Sequence, residues 1–186
     1  MRCLCIGSAF MLAAVGAVFG QTAGDREKSV AAFKQIAQVM RSPRCMNCHT
    51  MTEFPRQGDH GRRHDQMVMR GADGKGTAPM LCVACHQDSN SADGYVPGAP
   101  EWHLAPLSMS WEQAHGNKDL CEGLLDKERN GNRAAKGIVI HMVNDPLVQW
   151  AWAPGRGRTP PPISQEAFHA LLQRWEATGA ACPTSN

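Results

Sequence analysis

Two segments of the sequence share one arrangement of two cysteines and a histidine, Cys45-x-x-Cys48-His49 and Cys82-x-x-Cys85-His86. This spacing is the attachment pattern of c-type haem, because one turn of helix presents two thiols to the porphyrin vinyl groups while the histidine meets the iron. We therefore expect two covalently attached c-type haems. The attachment residues would be Cys45, Cys48, Cys82 and Cys85, and the proximal iron ligands would be His49 and His86.

Two other chemistries use paired cysteines. A four-cysteine zinc site would not require a histidine at the same offset after each pair. A thioredoxin-like redox pair would need a βαβ context, and the sequence shows no strand pattern. The repeated pattern favours haem over both alternatives.

The ligand on the other face of each iron separates electron transfer from ligand chemistry, and several side chains compete for it. His141 lies in the apolar run 138–143, where a buried imidazole needs a partner, either an iron or a core hydrogen bond. His64 follows His49 by 15 residues in a polar segment that could fold back over the first haem, or it is a surface histidine. These two are the leading candidates for distal ligands. Reserve candidates are His60, one helical turn from His64, and His103 and Met109, which flank an apolar loop.

The start of the chain has the features of an export signal. Residues 6–19 form an apolar run of about 14 residues, too short for a membrane span, which needs roughly 20. A small-residue pattern ends at Gly20, so we expect residues 1–20 to be removed. The mature chain, 21–186, would then be periplasmic without a stable membrane anchor; a retained anchor is the alternative.

The remaining cysteines fit that compartment. Of eight cysteines, two leave with the signal and four belong to the repeated motifs. Cys121 and Cys182 remain, and an even pair in an oxidising compartment predicts a disulfide. Two reduced, buried thiols are the alternative.

Residues 21–186 are predicted to form one mostly α domain, with short helices, long loops and a core centred on the haems. The haem motifs lie within 45–86, and a helical C-terminal part covers 107–186. Segments 57–76 and 90–106 are rich in glycine, proline or mixed charge and are predicted to be irregular. In the first of them, Arg62, Arg63 and Arg70 could pair with haem propionates, or they belong to a solvated loop of mixed charge.

Helix boundaries follow from capping residues. We expect the first helix to be capped by Asp25 and ended by Pro43. A later helix would start at a capping box on Ser110. The last helix would be capped by Ser164 and closed by Gly179.

Several different short motifs lie in the second half of the chain. They are Pro97-Gly98-Ala99-Pro100-x-Trp102, Leu104-Ala105-Pro106-x-x-Met109-x-Trp111, Asn130-Gly131, His141-x-x-x-Asp145, Trp150-x-Trp152-x-Pro154-Gly155 and Gly179-Ala180-x-Cys182-Pro183. With the haem motifs, they make the chain similar to secreted dihaem cytochromes described as isoquinoline 1-oxidoreductase subunits. That resemblance implies a partnership with periplasmic molybdenum hydroxylases, whose electrons need an acceptor.

Together these features predict an electron-transfer protein, not an enzyme. It would accept electrons from a periplasmic dehydrogenase, such as a molybdenum hydroxylase, and pass them to the respiratory chain. The alternative is a small dihaem peroxidase-like enzyme with one open haem, although such enzymes are usually longer. The formal charge of +2, about +1 without Arg2, does not indicate the basic face that nucleic acid requires.

Overall fold

Six short helices carry most of the regular structure in residues 21–186, the part of the chain that this computed structural model describes. They are α1 (Ala23–Met40), α2 (Pro43–Met46), α3 (Asn117–Leu125), α4 (Ala135–Asn144), α5 (Pro146–Gln149) and α6 (Gln165–Ala177). About 40% of these residues are helical and 5% are in strands, which confirms the mostly α prediction. The expected export signal, 1–20, lies outside the described residues.

Helix α1 begins at a hydroxyl cap. The Thr22 side chain accepts a hydrogen bond from the backbone N–H of Asp25 at 3.0 Å. Asp25 therefore lies in the first turn, where its negative charge is favourable beside the helix dipole, and the predicted cap at Asp25 is wrong by three residues. Pro43 does not simply end α1: it opens α2, which carries the first motif, because the first turn of a helix tolerates proline.

Helices α1 and α6 form the centre of the core. The fully buried rings of Phe33 and Trp175 lie 5.5 Å apart, measured between centroids. The buried hydroxyl of Ser29 donates to the Trp175 carbonyl at 3.1 Å and accepts from the Ala181 N–H at 2.8 Å. This pair of bonds holds both helices and the C-terminal tail together without leaving a buried polar group unsatisfied.

Cys121 and Cys182 form a disulfide, with their Cα atoms 5.5 Å apart, as the cysteine count predicted. The bond joins α3 to the C-terminal tail.

Both residues predicted to cap helix α6 lie at its ends. Ser164 accepts from the Ala167 N–H at 3.3 Å, and Gly179 follows α6 with a positive φ of 96°, so both ends of α6 are confirmed.

The predicted capping box at Ser110 is wrong. Residue 110 follows a 3₁₀ turn, Leu107–Met109, and α3 starts only after Gly116. Gly116 gives α3 no side-chain cap.

The polar segment between the two motifs contains two short antiparallel pairs that sequence analysis did not predict. Strands β1 (Arg56–Gln57) and β2 (Arg62–Arg63) pair, as do β3 (Gly76–Thr77) and β4 (Met80–Leu81). Gly76 has a φ of +90°, and a Cβ there would lie 2.5 Å from the Met80 carbonyl oxygen, so the second hairpin requires glycine. Pairs of only two residues show no alternating pattern, which explains why the sequence hides them.

Within residues 21–186, no helix combines the length and the apolar character needed to cross a bilayer.

Candidate functional site

Both Cys-x-x-Cys-His motifs fold as a single tight turn. The backbone N–H of His49 donates to the Cys45 carbonyl at 2.9 Å, and that of His86 donates to the Cys82 carbonyl at 2.9 Å. The first turn belongs to α2 and the residues after it, and the second contains the 3₁₀ turn Cys82–Ala84. All four motif cysteines are free. In each copy, two thiols and one imidazole are thus gathered on one turn.

The two motif histidines are held in the same way by unrelated segments. Nδ1 of His49 lies 2.7 Å from the Met109 carbonyl oxygen, and Nδ1 of His86 lies 2.7 Å from that of Pro97. An imidazole that donates through Nδ1 keeps the lone pair of Nε2 for a metal, which is the usual arrangement of metal-binding histidines.

Each of these rings also stacks on a tryptophan. The His49 and Trp111 rings are 3.5 Å apart between centroids and inclined by 8°. The His86 and Trp102 rings are 4.5 Å apart and inclined by 3°. The indole planes and the carbonyl acceptors together fix the direction in which each imidazole points.

The first motif borders a cavity of about 260 Å³ in the helical core. Cys45, Cys48 and His49 line it, and most of its walls are apolar. Wall residues come from α1, α3, α4, α6 and the 3₁₀ turn Trp150–Trp152; they include Met40, Leu124, Ile138, Met142, Trp152 and Phe168. Burial raises the pKa of Cys45 to about 11 and that of Cys48 to about 12, and it lowers the pKa of His49 to about 4. The imidazole is therefore neutral at neutral pH, the form that binds metals.

Four buried side-chain polar atoms in residues 21–186 have no hydrogen-bond partner, and all lie at or beside the motifs. They are Arg44 Nε, His64 Nδ1, Ser110 Oγ and Trp111 Nε1. Arg44 and Trp111 line the cavity of the first motif, where both unpartnered atoms are N–H donors. Because buried polar groups are nearly always paired, these donors fit a group that brings acceptors with it, as the carboxylates of haem would.

The second motif is more exposed. Cys85 is exposed, and the residues Leu81 and Val83 are 45% and 54% exposed. The motif follows the β3–β4 hairpin, and the Trp102 ring stacks on the His86 ring. This site is built from short loops, not from helices of the core.

His64 lies beside the second motif, whereas the sequence led us to expect it over the first. Its ring centroid is 6.1 Å from that of His86, with an angle of 72° between the planes. It directly follows β2, and its backbone N–H donates to the Pro55 carbonyl at 3.1 Å. The β1–β2 hairpin therefore places His64 beside His86.

His141, the other leading candidate, lines the cavity of the first motif. The imidazole is less buried than expected, with 40% of its side chain exposed. It has a polar partner in the chain, since its Nδ1 lies 3.1 Å from Asp145 Oδ2. As with the motif histidines, this contact leaves Nε2 free for another partner.

The reserve candidates lie in three different settings. His103 lines the same cavity, and its Nδ1 contacts the Glu101 carbonyl. Met109 accepts from His49 through its carbonyl, so its backbone lies on the side of that ring opposite Nε2. His60 is exposed in the turn between β1 and β2.

The three arginines expected to meet propionates have partners in the chain. Arg62 pairs with Asp65, and the Arg63 guanidinium lies 4.5 Å above the centre of the Phe54 ring. The buried Arg70 donates to backbone carbonyl oxygens; they belong to Thr50, Thr52 and Ala105. Arg70 therefore fastens the segment after the first motif to the loop before Met109.

Arg44 is a residue of the first site that the sequence did not indicate. Its side chain is 2% exposed and its NH2 group contacts Asp59 Oδ1 at 2.7 Å, while its Nε has no partner. Its position directly before Cys45 was the available clue.

A pair of tryptophans connects the two motifs. Trp150 lines the cavity of the first motif and packs edge-on against Trp102, with ring centroids 4.8 Å apart. Trp102 in turn stacks on His86. The indole N–H of Trp150 donates to Asn90 Oδ1 at 2.9 Å, which fixes this contact.

Within residues 21–186, no group of three or more His, Cys, Asp or Glu side chains is arranged to hold a metal ion. Comparisons with protein-family models, with curated proteins and with solved structures found no match to this chain.

Proposed function

We propose that this protein is a periplasmic dihaem c-type cytochrome that transfers electrons. The observation that carries this proposal is the common geometry of the two motifs. Each histidine donates Nδ1–H to a carbonyl 2.7 Å away and stacks on an indole, although the segments that supply these partners differ in sequence. Two unrelated flanks that orient two imidazoles alike support one shared task, the ligation of haem iron.

The chain's own residues would hold the two groups as follows. Cys45 and Cys48 would form thioethers to one haem, with His49 as its proximal ligand. The second set is Cys82, Cys85 and His86. When bound, haem iron supplies a reversible one-electron couple. The apolar walls around His49 would exclude water from the first group, and haems in both sites would complete a core that is otherwise small.

Electron exchange between the two groups is supported by the closeness of the motifs. The Trp102–Trp150 pair fills the space between His86 and the first cavity and fixes the separation. The exposed second motif would be the more accessible of the two to a redox partner.

The resemblance to isoquinoline 1-oxidoreductase subunits suggests the partners. A periplasmic dehydrogenase, such as a molybdenum hydroxylase, would donate electrons, and the respiratory chain would receive them. The Cys121–Cys182 disulfide supports an oxidising compartment, as expected after removal of an export signal.

The test is to express the full chain with a cytochrome c maturation system and to purify the secreted form. We expect an intact mass with two added haems and a potentiometric titration with two reversible one-electron steps. A mass equal to the bare polypeptide would overturn the proposal. Rapid peroxide turnover by an open haem would replace electron transfer with the peroxidase-like alternative.

A further inference from the structure

We infer that His64 and His86 are the two axial ligands of the second haem iron, so that the β1–β2 hairpin closes the second site. This inference rests on the proposed function, since it requires a haem on Cys82 and Cys85. It assigns His64 to the second site, although His64 is closer in sequence to the first motif.

The spacing of the two rings is that of a pair of metal ligands. Imidazole nitrogens bind metals such as zinc at about 2 Å, and a ring nitrogen lies about 1 Å from its centroid, so two opposed ligands have centroids roughly 6 Å apart. The centroids of His64 and His86 are 6.1 Å apart. The 72° between their planes is compatible with this role, because each ring can rotate about its own bond to the metal.

The hydrogen bonding of both rings points to the same role. His86 uses Nδ1 for the Pro97 carbonyl, which leaves Nε2 for a ligand. His64 has a buried Nδ1 without any hydrogen-bond partner. A buried polar nitrogen in that state is costly unless something binds it, and either ring nitrogen of a histidine can bind a metal.

The hairpin holds His64 in place without using its ring. Arg56 pairs with Arg63 across the β1–β2 ladder, and the His64 N–H donates to Pro55. The neighbouring Arg63 is fixed over Phe54. The imidazole is therefore positioned by backbone bonds and left free for ligation.

The other candidates are placed elsewhere. His141 and His103 line the cavity of the first motif, and Nδ1 of each contacts an oxygen, of Asp145 and of Glu101 respectively. The Met109 carbonyl accepts a hydrogen bond from Nδ1 of His49. None of them lies against His86 as His64 does.

Two axial histidines make a definite spectroscopic prediction for the mature protein with both haems. In low-temperature EPR of the ferric wild type, one haem should give the low-spin signal of bis-histidine ligation. In His64→Ala, half of the total haem should become high-spin or newly able to bind CO, while the mass still shows two haems. In His64→Met, that haem should return to low spin with a methionine–iron charge-transfer band. The matched control is His60→Ala, which removes an exposed imidazole from the same hairpin and should leave the spectrum unchanged.

A second background assigns the effect to the second site. In Cys82→Ala/Cys85→Ala, which should retain one haem, adding His64→Ala should leave that haem's spectrum unaltered. The inference is overturned if His64→Ala keeps both haems low-spin, if the wild type lacks a bis-histidine signal, or if His64→Ala alters the single haem of the second background. A wild type without any haem would instead overturn the proposed function, and mass spectrometry distinguishes the two failures.

Discussion

The two Cys-x-x-Cys-His sites have the same local geometry and very different surroundings. In both, the backbone N–H of the histidine donates to the carbonyl of the first cysteine. The imidazole donates Nδ1–H to another carbonyl and stacks on a tryptophan. The first site borders a cavity walled by the helical core, whereas the second rests on short hairpins and exposes Val83 and Cys85. The geometry around the histidine is therefore alike in the two sites, although different segments supply its partners, and the surrounding chain decides how exposed each site is.

Burial shifts the pKa values of the motif side chains in the same directions at the two sites. Burial lowers the pKa of His49 to about 4 and raises that of Cys48 to about 12. At the second site, burial also lowers the pKa of His86 and raises that of Cys82. Since burial and axial ligation both set haem potentials, we expect the two haems to differ in potential as well as in their contribution to stability.

The largest effect should come from removing one haem at a time. Cys45→Ala/Cys48→Ala would leave the core cavity without the haem proposed to fill it, so we expect loss of most of the native circular dichroism. Cys82→Ala/Cys85→Ala should keep a folded helical core with one haem, because α1, α3 and α6 pack without the second motif. Intact mass and far-UV circular dichroism of both secreted variants make the comparison.

Equal loss of helix in the two double variants would show that the second haem is as central to folding as the first. A well-folded Cys45→Ala/Cys48→Ala variant would show that the helical core does not need the first haem. Either result would remove the distinction between a core site and a loop site.

A smaller effect is expected from the disulfide, which lies on the side of the first site. Cys121→Ala/Cys182→Ala opens a link between residues 61 apart in sequence. The chain-entropy model gives a loss of roughly 4 kcal/mol in the free energy of unfolding. We expect urea unfolding, followed by circular dichroism, to show this loss, while the optical spectrum of the native second haem stays the same.

A loss well below 1 kcal/mol would contradict the assigned role of the disulfide. A change confined to the second haem would contradict its placement, since Cys121 lies in α3 beside the cavity residue Leu124.

The parts of the structure that local chemistry decides were predictable from sequence. The motif turns follow from the spacing of cysteine and histidine, and the disulfide follows from a count that leaves two cysteines over. The α6 helix has a serine cap and a closing glycine that act within one turn. In each case the deciding residues lie close together in the chain or are few enough to pair by elimination.

What sequence could not reveal depends on contacts between distant segments. His64 reaches the second motif because two-residue strands fold the β1–β2 hairpin in that direction, and such short strands have no readable period. Arg70 looked available for propionates, but its partners are backbone carbonyls, which no side-chain pattern reveals. Arg44 was missed because its partners, the Gly58 carbonyl and the Asp59 carboxylate, lie in the β1–β2 turn, whose fold has no readable pattern.

The smallest expected effect tests the electrostatics of the first site through Arg44. Its guanidinium lies at the first cavity with Nε unpartnered, and NH2 is 2.7 Å from Asp59. Reduction adds an electron to the haem, so a nearby positive charge favours it and raises the potential. Arg44→Gln should therefore lower the reduction potential of the first haem by roughly a few tens of millivolts, the size expected for one nearby charge in a partly screened medium. The second haem should move less.

The sign of that shift is checked with the partner of the same ion pair. Asp59→Asn removes the opposing negative charge and should raise the first potential, again with little change at the second haem. Spectroelectrochemical titration of the two steps measures all four shifts. If both variants move the first potential in the same direction, the cause is structural rearrangement instead of charge. If the second potential moves more than the first, Arg44 acts at the second site, and its assignment to the core haem is wrong.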